Sequence, residues 1–426
     1  MSLKYNIDNI SYNKRKQIHT DLKFESNISG KGISKIIFPY EIIKDDIYLP
    51  FYFGNNIIKI KRPERNIFSQ ENIKFKGKLR EEQEEVKKET INNLNKFGTS
   101  ILSLYVGGGK TITSINIACS IKLKTLIIVN KIVLINQWRD SINQFCENVN
   151  IQILNSKTPE LDMDCQFYII NAINIEKLGH NFFKDIGFCI LDETHTLLSS
   201  VLYKSLFYIQ PRYLLALSAT AYRLDGYNEL FDFFFGNKIV LRDLNREHTV
   251  YKINTKIDIE IETDAEGRVL WNNILNKQSQ HKERNLLIID IIKMYKDRTF
   301  LVLCKRIEQA QLLYDLLLDN NESVDHLIGT KQEFDKNVRV LIGITSKVGC
   351  GFDWPKLDAM ILAADIESFF IQTLGRIFRK KDTIPIVFDL VDNNFVLIKH
   401  FKSREEIYKK CGGKIQIFKF QKKFLK

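Results

Sequence analysis

The sequence lacks the features that mark metal-binding, secreted and membrane-spanning proteins. Its seven cysteines are scattered over 426 residues without a Cys-x-x-Cys pair, so neither a zinc knuckle nor an iron–sulfur cluster is indicated. No apolar run approaches the ~20 residues that a membrane-spanning helix needs. The polar and charged residues 1–15 contain no apolar core of a signal peptide. We therefore expect a soluble intracellular protein, cytoplasmic or nuclear, with no membrane partner.

Acidic residues are also fewer than basic ones. The chain has 63 Lys and Arg against 51 Asp and Glu, which gives a formal net charge of +12. A basic protein favours a polyanionic partner, and nucleic acid is the first candidate. An inert basic surface is the alternative, because Ile, Asn and Lys are abundant throughout the chain.

Strand-like and helix-like runs alternate along most of the chain. Residues 1–74 contain short runs rich in Ile, Tyr and Phe, such as Asp46–Phe53 and Asn56–Ile60, which predict a small β-containing N-terminal module. In residues 75–236, continuously apolar strands alternate with helices, which predicts a parallel sheet covered by helices on both faces. After a connector at 237–264, a second alternating set fills residues 265–426. The predicted fold class is therefore α/β, with two such domains in tandem.

A glycine-rich segment, Gly107-Gly108-Gly109-Lys110-Thr111, lies between the predicted strand Ser100–Tyr105 and the predicted helix Thr113–Ile121. The backbone N–H groups of such a loop and the N-terminus of the following helix attract phosphate. Lys110 can reach the β- and γ-phosphates, and the Thr111 hydroxyl can bind magnesium. Because a plain glycine turn does not require the Lys-Thr ending, we predict a nucleoside triphosphate site.

Two adjacent acids follow a second apolar strand. Phe188–Leu191 reads as a short buried strand, and it ends in Asp192-Glu193-Thr194-His195. Asp192 can bind magnesium directly or through water, and Glu193 can orient and deprotonate the water that attacks the γ-phosphate. A solvated acidic loop is the alternative, although such a loop need not follow four apolar residues.

A third segment, in the second domain, combines an amide with basic side chains. Gln372, Arg376 and Arg379 are spaced by four and three residues, which would place them on one face of an α-helix. Two arginines suit a transferring phosphoryl group, whose charge spreads over three oxygens. A solvated basic helix is the alternative, because Lys380 and Lys381 continue the positive run.

Together these segments resemble the motifs of the superfamily 2 helicases and translocases, in the order that the family has them. The resemblance covers about residues 75–405. The matching segments are Leu79–Gln83 (the adenine-reading segment), Val106–Thr111 (motif I), Gln137-Trp138 (motif Ia), Ile170–Ala172 (motif Ib), Asp192–His195 (motif II), Leu217–Thr220 (motif III), Thr345–Asp353 (motif V) and Gln372–Arg379 (motif VI).

One branch of the superfamily is more similar than the others. The segment Ala221–Gly226 resembles the branch of the xeroderma pigmentosum type B helicase, restriction-enzyme motor subunits and large-DNA-virus helicases, including the poxvirus transcript-release helicase. The resemblance implies two tandem RecA-like domains that bind ATP between them. It favours DNA as the track, in repair, recombination or transcription, with transcript release as one such role. A polymerase or transcription complex is an implied partner, the expected state is a monomer, and a viral protein would reside in the host cytoplasm or the virion.

The resemblance also implies a role for each matching residue, with ATP and Mg²⁺ as the cofactors. Catalytic roles fall to Asp192, Glu193, His195, Gln372, Arg376 and Arg379. ATP binding falls to Arg80, Gln83, Gly107, Gly108, Gly109, Lys110, Thr111 and Asp353, with the metal on Thr111 and Asp192. Nucleic-acid contact or coupling to ATP falls to Gln137, Ser218, Ala219, Thr220, Thr345 and Gly349.

Several alternatives stay open at the level of the sequence. The track could be RNA, and the chain could instead be a non-catalytic nucleic-acid clamp or a polymerase accessory factor, although Lys110, Glu193 and Arg379 are all present. Trp138 fits core packing and nucleic-acid contact equally well. The lysine- and phenylalanine-containing tail Phe418–Phe424 suits nucleic-acid binding, but we favour docking of its phenylalanines on the second domain.

Overall fold

The computed structural model describes residues 1–27, 34–105, 107–197, 202–218, 228–331, 333–348, 352, 354–366, 370–378, 380 and 382–418. The chain divides into two compact units. The first unit contains Met1–Leu104 and Gly108–Arg242, and the second contains Tyr105–Gly107 and Asp243–Lys426. No helix in these ranges is both long enough and apolar enough to cross a membrane.

The N-terminal residues form short strands that pack on the first unit. In the described ranges, most of these strands belong to a three-stranded antiparallel sheet or to a separate hairpin. Their elements are β1 (Ser2–Asn6), α1 (Tyr12–Asp21), β2 (Phe24–Asn27), β3 (Ser34–Ile37), β4 (Glu41–Ile43), β5 (Asp46–Pro50) and β6 (Lys74–Phe75). Leu3, Leu49 and Phe51 belong to the same buried cluster as one face of the following parallel sheet.

The predicted strand at Asn56–Ile60 is wrong. The chain instead forms a π-helical turn at Phe53–Ile57, and the side-chain amides of Asn55 and Asn56 donate to the carbonyl oxygen of Phe97 at 3.1 and 3.0 Å. Such side-chain hydrogen bonds to the backbone compete with a strand ladder, which an apolar-residue count does not register.

The first unit is built on a parallel sheet with the strand order β10-β11-β8-β12-β13-β7-β14 over the described residues. Its remaining strands are β7 (Thr99–Leu104), β8 (Thr125–Val129), β9 (Cys146–Glu147), β10 (Ile151–Leu154), β11 (Phe167–Asn171), β12 (Phe188–Leu191), β13 (Tyr213–Ser218) and β14 (Ile239–Arg242). Its helices are α2 (Glu81–Phe97), α3 (Lys110–Ile121), α4 (Ile132–Phe145), α5 (Ile175–Leu178), α6 (Thr194–Leu197) and α7 (Asn228–Phe235).

This sheet is buried on both faces, as the uninterrupted apolar runs predict. Along β8, Leu126 and Ile128 belong to one hydrophobic cluster, whereas Ile127 and Val129 belong to the other. Alternate residues of a strand point to opposite faces, so a strand that is covered on both sides must be apolar at every position. The α/β class with a helix-covered parallel sheet is thereby confirmed for the first unit.

The second unit repeats this architecture with the order β17-β18-β16-β19-β20-β15-β21 in its described part. Its strands are β15 (His248–Asp258), β16 (Phe300–Cys304), β17 (Val324–Leu327), β18 (Val340–Ile344), β19 (Ala359–Leu362), β20 (Ile386–Asn393) and β21 (Gly413–Ile417). Its helices are α8 (Trp271–Gln280), α9 (Lys282–Met294), α10 (Ile307–Asp319), α11 (Thr345–Val348), α12 (Phe370–Leu374) and α13 (Phe395–Lys410). The stretch 237–264, expected as a connector, contributes β14 to the first sheet and β15 to the second.

Candidate nucleotide-binding and catalytic site

Four neighbouring strands of the first unit bring the predicted site residues to one sheet edge. Strands β8, β12, β13 and β7 lie side by side and parallel. Parallel strands end at the same edge, which is where ligands bind in open α/β sheets. Asp192 follows β12, Ser218 ends β13, and the glycine loop follows β7. The tertiary structure therefore collects segments that are far apart in the sequence.

The glycine loop leads directly into helix α3. Gly107 and Gly109 adopt φ values of 87° and 89°, a left-handed conformation that a residue with a Cβ rarely takes. Helix α3 begins at Lys110, and its first intrahelical bond runs from the Thr113 N–H to the Gly109 carbonyl at 3.0 Å. The first N–H groups of a helix have no acceptor within the helix itself, which makes this end suited to an anion.

Lys110 is already directed at the loop. Its ammonium group donates to the Leu104 carbonyl at the end of β7, at 2.9 Å. A lysine held at the mouth of a phosphate-binding loop can exchange such a carbonyl for phosphate oxygens, because an ammonium group has three donors. Thr111 is partly exposed in the first turn of α3.

The two residues predicted to read adenine contact the glycine loop. The Arg80 guanidinium donates to the Gly108 carbonyl at 3.1 Å, and the Gln83 amide donates to the same oxygen at 3.3 Å. The Arg80 backbone N–H in turn donates to Gln83 Oε1 at 2.9 Å. A Cβ on Gly109 would lie 2.2 Å from Gln83 Nε2, so this close approach requires glycine. Arg80 and Gln83 thus lie beside the glycine loop.

The carboxylate of Asp192 is held from both sides. Its Oδ1 accepts from the Glu193 backbone N–H at 2.9 Å, and its Oδ2 accepts from the Trp138 indole N–H at 2.8 Å. Glu193 has a φ of 49°, the left-handed region that non-glycine residues seldom adopt. Backbone conformations of this kind cost about 1–3 kcal/mol and cluster at functional sites.

Burial and the adjacent Glu193 charge raise the pKa of Asp192 to about 6. The Trp138 hydrogen bond, the Lys110 charge and the Glu193 N–H act in the opposite direction, because each favours the ionised carboxylate. The electrostatic influence of Lys110 links the glycine loop to the acidic segment. A carboxylate with a shifted pKa at a sheet edge is a typical mark of a functional site.

The donor set fits a magnesium ion that is held together with phosphate. Among the described residues, no group of three His, Cys, Asp or Glu could hold a metal by itself. Mg²⁺ usually keeps several waters and binds one or two carboxylates together with substrate phosphates. Asp192 beside a phosphate-binding loop suits that mode, and Thr111 at the start of α3 can add a hydroxyl oxygen.

Thr194, in the acidic segment, contacts the ends of both β12 and β13. Its buried hydroxyl lies 2.9 Å from the Leu191 carbonyl and 3.2 Å from the Leu217 carbonyl. Ser218, which follows Leu217, is fully buried. A displacement of the acidic segment would therefore alter the contact of Thr194 with the end of β13. His195 lies next to Thr194 in α6, and its side chain is outside the described part of the structure.

The predicted residues of the second unit follow β18 and α12. Thr345 begins α11 directly after β18 and is partly buried. The segment was predicted as one α-helix, but α12 ends at Leu374 and a 3₁₀ turn occupies Gly375–Phe378, so Gln372 and Arg376 do not belong to one continuous α-helix. Arg376 is buried, and its guanidinium donates to the Phe352 carbonyl and lies 5.9 Å from the Phe352 ring.

Some predicted residues lie outside the described residues. They are Ala219, Thr220, Gly349, Asp353 and Arg379, together with the side chain of Gln372. The segment Ala221–Gly226 and the tail after Phe418 fall outside as well. Gln137 is described and partly exposed on α4. The roles assigned to all these residues stay predictions.

Sequence analysis missed the connecting roles of Trp138 and Thr194. Of its two interpretations of Trp138, core packing holds, since the side chain is 1 % exposed, but the contact with Asp192 was not foreseen. The spacing of Leu134, Trp138 and Ile142 signals a buried helix face. No local pattern indicates that this face meets β12, because that depends on the strand order.

Comparison with known proteins gives concordant results. The family described as "Type III restriction enzyme, res subunit" matches residues 76–223. "Putative helicase 161L" of Invertebrate iridescent virus 6 is 41% identical over 98% of this chain and 100% of its own length. "Putative ATP-dependent RNA helicase L396" of Acanthamoeba polyphaga mimivirus is 28% identical over 94% of this chain and 82% of its own. "DNA 3'-5' translocase XPB2" of Sulfurisphaera tokodaii is 24% identical over 85% and 91%.

The fold is also similar to a solved helicase structure. S. cerevisiae Dbp5 bound to RNA and ADP BeF3 superimposes with a TM-score of 0.55 at 13% identity, covering 78% of this chain and 89% of that one. At this identity the likeness concerns the fold alone, and it agrees with two RecA-like domains in tandem.

Proposed function

The chain belongs to the superfamily 2 helicases of large DNA viruses, and from this premise we propose that it is an ATP-driven motor that moves along or unwinds DNA. The observation that carries the proposal is the meeting of the glycine loop and the acidic segment at one edge of the first sheet. Lys110 begins the helix that follows the loop, and its positive charge lowers the pKa of Asp192. A phosphate-binding loop beside a partly buried carboxylate is the arrangement that nucleoside triphosphate hydrolysis requires.

ATP would bind at the first unit through the loop and α3. Gly107, Gly108 and Gly109 would give backbone N–H groups to the phosphates, and Lys110 would leave the Leu104 carbonyl for the β- and γ-phosphates. Arg80 and Gln83 would contact adenine while remaining next to Gly108. The contacts to Gly108 support this assignment, because they place both side chains at the loop.

Asp192 and Thr111 would hold magnesium, which neutralises phosphate charge as it develops. Glu193 would take the proton of the attacking water as general base. Glu193 has a left-handed backbone, and it lies next to the fixed carboxylate of Asp192 and directly before the helix that starts at Thr194. General-base groups of this kind contribute about 10²–10⁴-fold to a rate.

Coupling to nucleic acid would run through the strand ends next to the acidic segment. The Thr194 hydroxyl lies close to the carbonyls that end β12 and precede Ser218, so a change at Asp192 can reach motif III. His195, Gln372, Ala219 and Thr220 would share in this coupling.

The remaining matching residues would have the roles that the resemblance implies. Gln137, Thr345 and Gly349 would grip the nucleic-acid backbone, which positions a motor without reading bases. In the second unit, Asp353, Arg376 and Arg379 would contribute to ATP binding and hydrolysis. Arg376 would have to exchange its bond to the Phe352 carbonyl for phosphate.

DNA is the proposed track, in transcription, repair or recombination of a large DNA virus. The name of the Sulfurisphaera tokodaii relative supports DNA, whereas the name of the mimivirus relative favours RNA as the second candidate. Transcript release in a polymerase complex is one form that this role could take. The net charge of +12 suits either polyanion.

The test is steady-state ATP hydrolysis, measured without nucleic acid and with single-stranded DNA, duplex DNA or RNA. Lys110→Ala is compared with Lys157→Ala, which removes an exposed lysine of the same unit. We expect stimulation by DNA that Lys110→Ala abolishes and Lys157→Ala keeps. Stronger stimulation by RNA would reverse the choice of track. Absence of Lys110-dependent hydrolysis under every condition would overturn the motor and favour a clamp.

A further inference from the structure

Trp138 is tied to the acidic segment by a single polar contact. It lies on α4, is 1 % exposed, and its indole N–H donates to Asp192 Oδ2 at 2.8 Å across 54 residues of sequence. An indole has one donor and no acceptor, so a buried tryptophan has only one polar bond to place. Here that bond goes to a carboxylate, whereas the equally buried Trp354 gives its N–H to the Lys336 carbonyl at 3.3 Å.

The contact completes the fixing of the Asp192 carboxylate. The Glu193 N–H holds one oxygen and the indole holds the other, so the plane of the group cannot rotate without losing a hydrogen bond. Each carboxylate oxygen has two lone pairs. Both oxygens therefore keep a lone pair for a metal ion or a metal-bound water.

The surroundings of the indole make its position rigid. Trp138 shares its hydrophobic cluster with Leu134 and Ile142 of α4 and with Ile127 and Val129 of the neighbouring strand β8. Because β8 pairs with β12, the side chain is anchored beside the strand that ends at Asp192. Partners that orient a metal-binding carboxylate typically affect metal affinity by about 10–100-fold.

We propose that Trp138 is a positioning residue, whose indole N–H orients the Asp192 carboxylate for magnesium bound with nucleotide. This inference rests on the proposed function, because it takes Asp192 as the magnesium-binding residue. It assigns to the tryptophan after Gln137 a role in nucleotide chemistry instead of contact with nucleic acid. Trp138 itself touches neither ATP nor the metal.

The test compares magnesium affinity in Trp138→Phe and in Trp354→Phe, which makes the same substitution at a buried tryptophan of the second unit. Binding of a fluorescent ATP analogue is measured with chelator and across a magnesium titration, and Mn²⁺ binding is followed by electron paramagnetic resonance. We expect Trp138→Phe to raise the half-saturating magnesium concentration about 10–100-fold. Nucleotide affinity in chelator should stay within about twofold of wild type in both variants.

A second replacement separates orientation from packing. 3-Benzothienylalanine at position 138 keeps the bicyclic shape and replaces the N–H by sulfur, so it should weaken magnesium binding without the cavity that phenylalanine leaves. Magnesium affinity within twofold of wild type in this variant, or equal losses in Trp138→Phe and Trp354→Phe, would overturn the inference. If the wild-type protein bound nucleotide without any magnesium dependence, both the inference and the proposed function would fail. If Lys110→Ala abolished ATP hydrolysis but Trp138→Phe left the magnesium affinity unchanged, the inference about Trp138 would fail and the proposed function would stand.

Discussion

The two units share an architecture but bury different polar side chains. In the described part of the first unit the buried polar residues are mainly hydroxyls, whereas in the second unit they include several full charges. The buried hydroxyls of the first unit include Thr90, Thr99, Ser100, Ser103, Thr113, Ser114, Thr125, Thr194, Ser205 and Ser218. Among the described residues of the second unit the buried charges are Arg284, Asp358, Asp365, Arg376, Asp389, Asp392 and Arg404, whereas the described part of the first unit buries Lys124.

Several of these buried hydroxyls of the first unit donate to backbone carbonyls. Thr90 donates to Val86 and Thr99 donates to Phe235, each at 2.7 Å. Such neutral bonds contribute about 0.5–1.5 kcal/mol each and carry no charge into the core. The charged groups of this unit that concern function, Lys110, Asp192 and Glu193, lie at the sheet edge.

Several buried charges of the second unit are paired with each other. Arg404 donates to both oxygens of Asp389 at 2.9 and 2.8 Å and to Asp365 at 2.6 Å. The Tyr408 hydroxyl also donates to Asp389, at 2.9 Å, and burial followed by the Asp389 charge raises the pKa of Tyr408 well above its usual value. Buried charges are therefore more frequent in the second unit, where Arg404 holds Asp365 and Asp389 together.

The largest expected effect comes from Glu193→Gln in the first unit. Turnover should fall by about 10²–10⁴-fold, because the amide cannot accept the proton of the attacking water. ATP binding and the melting temperature should stay close to wild type, since the backbone turn at Glu193 is unchanged. Hydrolysis and nucleotide titration measure the two quantities, with the exposed Glu160→Gln as the control. Full turnover in Glu193→Gln would show that Glu193 is not the general base.

Arg404→Met should give the largest loss of stability in the second unit. It leaves two buried carboxylates without their cation, and breaking a buried pair in this way costs about 3–5 kcal/mol of unfolding free energy. Urea denaturation followed by tryptophan emission reports it, because Trp271 and Trp354 lie in this unit. Arg268→Met, which removes an exposed partner of Asp264, is the control. A loss below about 1 kcal/mol for Arg404→Met would contradict a structural role for the buried charges.

Thr99→Val should have a smaller effect in the core of the first unit. Valine keeps the branched shape but leaves the Phe235 carbonyl without its 2.7 Å donor, which costs about 1–3 kcal/mol. The same urea titration applies, with Trp138 as the emission probe of this unit. If Thr99→Val lost as much unfolding free energy as Arg404→Met, buried hydroxyls and buried charges would contribute equally to stability.

The smallest effect is expected for Arg242→Ala at the surface of the first unit. Arg242 lies 2.7 Å from Glu89 and 3.9 Å from Glu85, with side chains that remain partly exposed to solvent. Such pairs contribute about 0–1 kcal/mol. A double-mutant cycle with Glu89→Ala isolates the pair. A coupling energy of several kcal/mol would show that ion pairs stabilise the first unit as well.

Much of the fold was predictable because its signals are local. Apolar runs identified strands, and Phe188–Leu191 was predicted as a strand with the bounds that the structure has. Mixed segments were less predictable. Asn56–Ile60 forms a π-helical turn because amide side chains bond the backbone, and the segment after α12 becomes a 3₁₀ turn from Gly375 onward.

The candidate site was predictable where its residues are adjacent in the chain. The glycine loop and the pair Asp192-Glu193 carry their chemistry in short segments, so their identity followed from the sequence. Three contacts did not follow from the sequence. They are those from Gln83 to Gly108, from Thr194 to the Leu217 carbonyl and from Trp138 to Asp192.

By itself, the sequence determined the α/β class, the tandem organisation and the residue types that can handle a nucleoside triphosphate, because apolar period and glycine content act over a few residues. Only the tertiary structure decided which of these residues meet. The order β8-β12-β13-β7 brings α4 beside the end of β12, so that the indole of Trp138 reaches a carboxylate 54 residues away. Hydrogen bonds of 2.8 Å depend on strand order and packing, and neither is encoded in any local stretch of the chain.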